Sequence, residues 1–192
     1  RELLASMASP PSRGLIARGL GRSYGDAAQN AGGRVVATTG VHEVDLDPET
    51  GVVVAGGGVS LDTLLRILVP RGFFVPVTPG TRHVTVGGAV AADIHGKNHH
   101  VDGSFGRHVR RLSLLLADGS VVQVSPDHDA DLFWATVGGM GLTGVILDAT
   151  ISVLPISTSR LAVETRRIGE LDTMLALMEE GDRRFRYSVA WL

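Results

Sequence analysis

The sequence predicts an α+β fold, and three observations lead to that prediction. Runs with the two-residue periodicity of strands occur in clusters, with helical patterns between them and no regular strand–helix–strand repeat. Hairpin signals join neighbouring runs, and the strongest of them is Asp118 followed by Gly119. Glycine contributes 25 of the 192 residues, in blocks that separate apolar runs. Such blocks indicate turns and close backbone contacts, where a side chain would not fit.

The first elements are short. The leucine spacing of residues 1–8 predicts a helix, which the two prolines after it end. An apolar run predicts a short buried strand at 14–19. A polar, glycine-rich loop is expected at 19–33, and a second strand follows at 34–40.

The next region predicts a strand pair and then a helix. Residues 41–58 alternate as strands on either side of a turn at 48–51. Ser60 is the expected N-cap of a helix over 61–72. Asp62 lies in the first turn of that helix, where a negative charge is favourable.

The middle of the chain predicts a helix of small residues and a hairpin. Two prolines break residues 73–81, which are expected to be extended. The small residues within 84–94 suit a short helix packed closely on a flat neighbour. A hairpin is expected at 109–125, and a short helix follows at 129–139.

The last elements span a change in composition. A long strand is predicted at 141–155, an amphipathic helix at 169–180 and a strand at 185–192. Beyond residues 155–158 the chain loses glycine and gains charge. This change predicts a domain boundary there, between residues 1–157 and the first elements of a second domain at 158–192.

Composition excludes several classes of function. The net charge of −2 provides no basic excess for nucleic-acid binding. The absence of cysteine excludes disulfides, cysteine metal sites and a thiolate nucleophile, and leaves the cellular compartment open. No signal peptide and no apolar run of about 18 residues is present. The chain begins with Arg1 and ends within a strand pattern, so we expect a fragment of a longer protein.

The stretch GLGRSYG resembles a dinucleotide fingerprint, but its last glycine spacing is wrong. The polar stretch DAAQNAGG follows it, where a Rossmann fold requires an amphipathic helix, so a Rossmann fold is disfavoured. The loop can still bind phosphate through successive backbone N–H groups, with added charge from Arg18 or Arg22. The alternative is a surface turn.

Two more glycine-rich stretches point to the same ligand. In TPGTRHVTVGGAVAADIHG, Gly80 and Thr81 offer donors. Thr85, Gly87 and Gly88 start the small-residue helix, where unpaired N–H groups favour anionic oxygens. Close helix packing is the alternative. In GGMGLTGVI the glycines bring backbone near a ligand. Three such stretches from distant parts of one chain suggest one extended cofactor.

The histidines invite a metal site, but the pattern argues against one. His95, His99, His100 and His108 lie in a glycine-rich region with no carboxylate pair at ligand spacing, so we expect no metal. His95 is expected to face inward, with a satisfied core histidine as the alternative. Lys97 can meet an anionic substrate or a developing alkoxide, and a solvated surface lysine is its alternative.

Four stretches carry a family resemblance over essentially the whole chain: ARGLGRSYGDAAQN, PGTRHVTVGGAVAADIHGKNHH, GSFGRHV and LFWATVGGMGLTGVI. They resemble the FAD domain of the vanillyl-alcohol-oxidase-like flavoproteins. Within that superfamily they resemble the decaprenylphosphoryl-β-D-ribose oxidases, the flavin subunits of a 2′-epimerase. The resemblance implies a two-subdomain, PCMH-like FAD-binding fold that is truncated here, with an FAD-binding domain at 1–157 and the start of a substrate domain at 158–192.

The resemblance also implies a set of site residues, which together would enclose FAD. Those expected to bind the cofactor are Ala17, Arg18, Gly19, Leu20, Gly21, Arg22, Ser23, Tyr24, Gly25, Asp26 and Ala27 in the first stretch, Gly80, Thr85, Val86, Gly87, Gly88, Ala92, Asp93, Ile94 and His95 in the second, and Ile146 in the third. Lys97, Tyr24 and His95 are the expected catalytic residues beside the flavin.

The chemistry implied by the resemblance is oxidation of a lipid-linked sugar. The flavin would accept a hydride from C2′ of decaprenylphosphoryl-ribose, giving a 2′-keto sugar. An NADH-dependent keto-reductase partner would complete epimerisation to the arabinose donor for cell-wall arabinan. The alternative is an alditol or sugar-lactone oxidase of the same fold. Non-covalent FAD is expected, because Arg22-Ser23 stands where many relatives carry a flavin-linked histidine.

The lipid substrate implies a place in the cell envelope, peripheral to the membrane, on either its periplasmic or its cytoplasmic face. The remaining substrate domain and a lysine proposed to assist proton removal would lie in a later part of the family chain. We therefore expect the fragment alone to be inactive.

Overall fold

The computed structural model describes residues 11–191 of the chain. The helix predicted at 1–8 lies outside the described residues. The strands are β1 (Leu15–Arg18), β2 (Arg34–Ala37), β3 (Val44–Asp47), β4 (Val52–Gly56), β5 (Phe73–Phe74), β6 (Val109–Leu115), β7 (Val121–Val124), β8 (Val145–Ser152) and β9 (Leu154–Pro155). The helices are α1 (Leu61–Leu68), α2 (Val86–Ala91), α3 (His99–Asp102), α4 (Ala130–Thr136) and α5 (Leu171–Gly181), and 3₁₀ turns lie at Val69–Arg71 and Phe105–His108.

The described strands form one five-stranded sheet and two short pairs. Strands β1 and β2 pair in parallel, with Leu15 opposite Arg34, and the glycine-rich loop connects them. The larger sheet has the order β3-β4-β8-β6-β7, and all of its pairs are antiparallel. The short strands β5 and β9 form a separate pair. Strand β8 therefore lies at the centre of the larger sheet, between strands that precede it by many residues.

The core is formed by the larger sheet and the helices packed on it. Buried leucines of α1 join buried side chains of β4, β6 and β8 in one hydrophobic cluster, which also contains Phe105 and Phe133. Helix α1 begins as the sequence predicts, because Ser60 Oγ accepts a hydrogen bond of 3.0 Å from the Thr63 amide. A 3₁₀ turn that contains Pro70 follows α1 directly, so the predicted helix over 61–72 is divided in two.

Glycines allow α2 to approach the sheet closely. The Gly87 amide donates to the carbonyl of Gly57 at 2.8 Å, and helix α2 packs against β4 and β8. A Cβ on Gly57 would overlap the carbonyl oxygen of Ile146 on β8. The predicted close packing of a small-residue helix is thus confirmed, and it brings the second and third glycine-rich stretches side by side.

Most predicted elements are present, with three differences in the strands. The strand predicted at 141–155 is divided into β8 and β9, and the strand predicted at 14–19 is half-buried rather than buried. The strand predicted at 185–192 is wrong for residues 185–191, which form no strand. These residues pair with no strand in the described part of the chain, and Val189 and Trp191 remain exposed. Within residues 11–191, no helix has both the length and the apolar character needed to cross a membrane.

Candidate cofactor-binding site

A cavity of about 760 Å³ lies where the three glycine-rich stretches meet. Its lining residues come from 17–28, 79–94 and 140–146, together with Thr38. The volume falls in the range of roughly 300–1,000 Å³ that is typical of small-molecule and cofactor sites. One concave site can thus accommodate one extended ligand.

The structure brings most of the predicted cofactor-binding residues to this cavity. Those that line it are Ala17, Arg18, Gly19, Leu20, Gly21, Arg22, Ser23, Tyr24, Ala27, Gly80, Thr85, Gly87, Gly88, Ala92, Ile94 and Ile146. Those outside the lining are Gly25, Asp26, Val86, Asp93 and His95. Of the predicted catalytic residues, Tyr24 lines the cavity and is almost fully exposed, whereas Lys97 is exposed and does not line it. Cofactor contact by these residues stays a prediction.

The first stretch offers unpaired backbone donors. The amides of residues 19–25 donate to no acceptor among residues 11–191. Gly21 and Gly25 have φ values of 64° and 62°, in the left-handed region that glycine adopts at little cost. A run of free amides around such glycines can surround an anionic oxygen. The phosphate-binding role predicted for this loop therefore has the donors that it requires.

Charge in the cavity favours the same kind of ligand. Arg18 and Arg22 line the cavity, and no aspartate or glutamate of the described residues does. The Arg22 guanidinium also donates to the carbonyl of Leu20 at 3.3 Å, which holds this side chain against its own loop. Two guanidinium groups without a competing carboxylate are suited to a pyrophosphate.

The start of α2 differs from its predicted role. The amide of Val86 donates to Val59 at 2.8 Å, that of Gly87 to Gly57 at 2.8 Å, and that of Gly88 to Thr85 Oγ1 at 3.1 Å. These donors are therefore already satisfied inside the protein, the first two by the loop 56–59 and the third by the side chain of Thr85. The expectation of unpaired N–H groups here is wrong, and the second stretch contributes a closely packed wall instead. Val86 itself is buried in the core.

The turn after α2 orients Asp93 and His95 away from the lining. Asp93 adopts a φ of 40°, and its Oδ1 accepts a hydrogen bond of 2.8 Å from the Gly106 amide. His95 is exposed, with its ring 5.8 Å from that of His99, so the expectation that it faces inward is wrong. Ile94 packs against the core instead. A Cβ on Gly96 would lie 2.7 Å from the Thr78 carbonyl oxygen, so the backbone passes closely there and leaves His95 on the outside.

The histidine-rich loop forms a hydrogen-bonded surface. His100 Nε2 contacts the Phe185 carbonyl at 2.9 Å, and His108 Nε2 contacts the Asp102 carbonyl at 3.0 Å. Among residues 11–191, no three histidine, aspartate or glutamate side chains are grouped in a way that could hold a metal ion. His100 and His108 thus contact backbone carbonyls.

Several lining residues were not anticipated from the sequence. Val84 and Pro79 flank predicted residues and add apolar surface. Met140 lines the third side with a φ of 53°, which is rare for a residue with a side chain. Its neighbours in GGMG are the sequence signal for such a turn, although the side chain's direction is not visible in the sequence.

The comparisons with known proteins agree with the fold and the cavity. The sequence profile of the family described as "FAD binding domain" matches residues 4–125. The chain belongs to this FAD-binding family. Its fold is the two-subdomain fold of the vanillyl-alcohol-oxidase-like flavoproteins, as the sequence resemblance implies. A solved structure of 6-hydroxy-D-nicotine oxidase from Arthrobacter nicotinovorans superposes with a TM-score of 0.67 over 73% of this chain and 31% of that chain, at 22% identity.

Two curated relatives are similar to the chain in sequence. It is 52% identical over 93% of its length to decaprenylphosphoryl-beta-D-ribose oxidase of Mycolicibacterium smegmatis, and it covers 40% of that protein. It is 29% identical to alditol oxidase of a Streptomyces species, over 80% of this chain and 37% of that protein. The chain thus spans about two fifths of the length of these relatives.

Because the family binds FAD, the cavity can be compared with what this cofactor requires. The cavity has the volume, the free amides of residues 19–25 and the two arginines that a dinucleotide with a pyrophosphate requires. A Cβ on Gly19 would overlap the Thr85 side chain, so the backbone of the first stretch lies directly against a side chain of the second. The residues present therefore fit the cofactor.

Proposed function

We propose that the protein to which this chain belongs is an FAD-dependent oxidase of the 2′-hydroxyl of decaprenylphosphoryl-β-D-ribose. The convergence of three glycine-rich stretches on one cavity carries the cofactor part of this proposal. The 52% identity to an oxidase of that name carries the substrate part. The product would be the 2′-keto sugar, which is the first half of epimerisation to the arabinose donor for cell-wall arabinan.

Each stretch has a proposed part in holding FAD. The loop at 18–27 would bind the pyrophosphate through its free amides, with Arg18 and Arg22 neutralising the charge. Thr85 and the glycines of α2 would pack flat against the cofactor, and Ile146 would contact it from the third stretch. The chemistry that bound FAD supplies is two-electron oxidation, by acceptance of a hydride at flavin N5.

Lys97, Tyr24 and His95 are the residues proposed to act on the sugar. All three side chains are exposed, so a substrate arriving from outside can reach them, and Tyr24 lines the cavity. An ammonium group at Lys97 would attract the phosphate of the substrate or stabilise a developing alkoxide. Tyr24 would donate or accept a hydrogen bond at a sugar hydroxyl.

FAD is proposed to be held without a covalent bond. The cavity lining contains neither histidine nor cysteine among the described residues, and Arg22-Ser23 stands where the superfamily resemblance would place a flavin-linked histidine. Acid precipitation of the purified full-length protein tests this. Flavin absorbance should move entirely to the supernatant, and yellow colour that stays in the pellet would contradict the proposal.

The proposed function extends to location and partners. A polyprenyl-phosphate substrate requires contact with the membrane surface, so we propose a peripheral position in the cell envelope. An NADH-dependent keto-reductase would return hydride to the keto sugar. Residues 1–157 are proposed as the FAD-binding domain and 158–192 as the opening of the substrate domain.

Anaerobic flavin reduction distinguishes this proposal from its rival. The rival is an alditol or sugar-lactone oxidase, which the 29% identity to an alditol oxidase favours. The full-length protein would be mixed with polyprenyl-phospho-ribose, with an alditol or with a sugar lactone, and flavin bleaching followed by absorbance. Bleaching by the lipid-linked sugar alone supports the proposal. Bleaching by the free alditol or lactone alone would support the rival.

A further inference from the structure

Residues 182–188 lie against the histidine-rich loop, although the two segments are far apart in sequence. The Ser188 amide donates to the carbonyl of Lys97 at 2.9 Å. The His100 Nε2 group lies 2.9 Å from the carbonyl oxygen of Phe185, 85 residues later, and 3.6 Å from Asp182 Oδ1. The backbone that carries Lys97 is therefore held by a segment beyond the proposed FAD-binding domain.

The strongest contact between the two segments is the ion pair of Asp102 with Arg186. Arg186 donates from both Nε and a terminal nitrogen to the two carboxylate oxygens of Asp102, each at 2.7 Å. The Asp102 side chain is only 11% exposed. Parallel paired bonds of this kind fix the relative orientation of two groups as well as their distance.

Asn98 connects this ion pair to the interior. Its side-chain amide donates to Asp102 Oδ2 at 2.6 Å and to the Pro76 carbonyl at 2.8 Å, and the residue is 1% exposed. Lys97 directly precedes this buried residue. The loop is thus anchored inside through Pro76 and outside through Arg186, while the Lys97 side chain stays exposed.

The pKa shifts of Asp102 and Arg186 agree with the short distances of this ion pair. Hydrogen bonding by Arg186 lowers the pKa of Asp102, and the bond to Asn98 lowers it further. The same contact with Asp102 raises the pKa of Arg186. Both groups therefore stay charged wherever the protein is folded at ordinary pH.

We propose that Asp102 and Arg186 are positioning residues that fix the backbone of Lys97, so that its ammonium group meets the substrate in a set place. Neither residue lines the cavity, and on this proposal the pair does not contact the substrate and acts through Lys97 alone. This inference rests on the proposed function for the role of Lys97. The anchoring of the loop is a separate physical claim, and it is tested separately.

The first experiment is a mutant cycle in the full-length flavoprotein. Arg186→Gln, Lys97→Ala and the double variant are compared by stopped-flow flavin reduction with polyprenyl-phospho-ribose. Arg186→Gln should slow reduction at saturating substrate by about tenfold, since small displacements of a reacting group are costly. Arg186→Lys should recover part of the loss. In the Lys97→Ala background Arg186→Gln should change nothing further, whereas independent, multiplying losses would overturn the proposal.

The second experiment does not depend on the substrate. Amide hydrogen exchange at residues 97–102 is measured in wild type, in Arg186→Gln and in Arg184→Gln. Arg184 is the matched control, because it is an exposed neighbour whose contact with Glu180 is 3.8 Å long. Arg186→Gln should raise exchange in the loop and Arg184→Gln should not. Unchanged exchange in Arg186→Gln overturns the proposal. If polyprenyl-phospho-ribose does not reduce the flavin of the wild-type protein, the proposed function is refuted. If exchange in Arg186→Gln is nevertheless raised as expected, the anchoring of the loop remains supported.

Discussion

Gly19 lies directly against the side chain of Thr85, so that a Cβ at position 19 would overlap Thr85 Oγ1. The same Thr85 oxygen accepts the Gly88 amide at the start of α2, and the residue is 2% exposed. The contact joins the phosphate-binding loop to the wall of the cavity. Absence of a side chain at Gly19 is therefore a structural requirement of the site.

Gly19→Ala should damage both stability and cofactor binding. The new methyl group must displace Thr85, which breaks its cap on α2, and overpacking of this kind costs about 1–3 kcal/mol of unfolding free energy. We expect the dissociation constant of FAD to rise by about tenfold or more. Urea denaturation and a flavin titration measure the two effects. Gly40→Ala is the control, because a Cβ there meets nothing within 4 Å.

Arg18→Gln and Arg22→Gln should each weaken FAD binding. A charge-assisted hydrogen bond contributes about 1.5–3 kcal/mol, so the affinity should fall roughly tenfold to a hundredfold. Fluorescence titration with FAD, at low and high salt, measures the loss and its electrostatic part. Arg66→Gln on α1 removes an arginine that pairs with Asp62 outside the cavity. An equal loss in that variant would show that the effect is not local.

Ser60→Ala should destabilise α1 by about 1 kcal/mol, because the Thr63 amide loses its acceptor. Ser60→Asp retains an acceptor at the N-cap and should be nearly as stable as wild type. The midpoint of urea denaturation compares the three proteins. Equal midpoints for the alanine and aspartate variants would contradict a capping role.

The ion pair of Asp102 with Arg186 should make the free energy of unfolding depend on pH in the acid range. The folded-state pKa of Asp102 is lowered by Arg186, so its stabilising contribution is complete above the unfolded value of about 3.8 and is lost as pH falls through the folded value. Denaturation midpoints of wild type and Asp102→Asn are compared between about pH 2 and 6. The difference between the midpoints of the two proteins should be constant at the upper end of this pH range and should shrink below pH 3.8. A difference that grows as pH falls would contradict the assignment.

Local signals in the sequence were sufficient for much of the fold. The cap at Ser60, the hairpin at Asp118 and the turn at 48–51 each depend on a few neighbouring residues, and each is present in the structure. The glycine blocks also predicted the convergence of three stretches, because glycine marks places where backbones meet. The two-subdomain fold was predicted only from the family resemblance, since the way strands group into sheets depends on contacts between distant residues.

Distant contacts account for the expectations that failed. The amides of Val86 and Gly87 are satisfied by a loop some thirty residues earlier, which the pattern of α2 does not reveal. His95 faces outward because the Gly96 backbone passes close to Thr78. Arg186 lies in a segment predicted as a strand, and its pairing with Asp102 has no local signal. Such errors arise wherever a neighbour in space is remote in sequence.

The central place of β8 has a consequence for synthesis on the ribosome. Ser152 of β8 pairs with Val52 of β4, and the other edge of β8 pairs with β6. The hairpins β3-β4 and β6-β7 therefore leave the exit tunnel before β8 does. Until β8 has emerged, the edges of β4 and β6 that pair with it are unpaired. Nascent chains in that interval can pair with one another, so we expect this polypeptide to require chaperone protection until β8 has emerged.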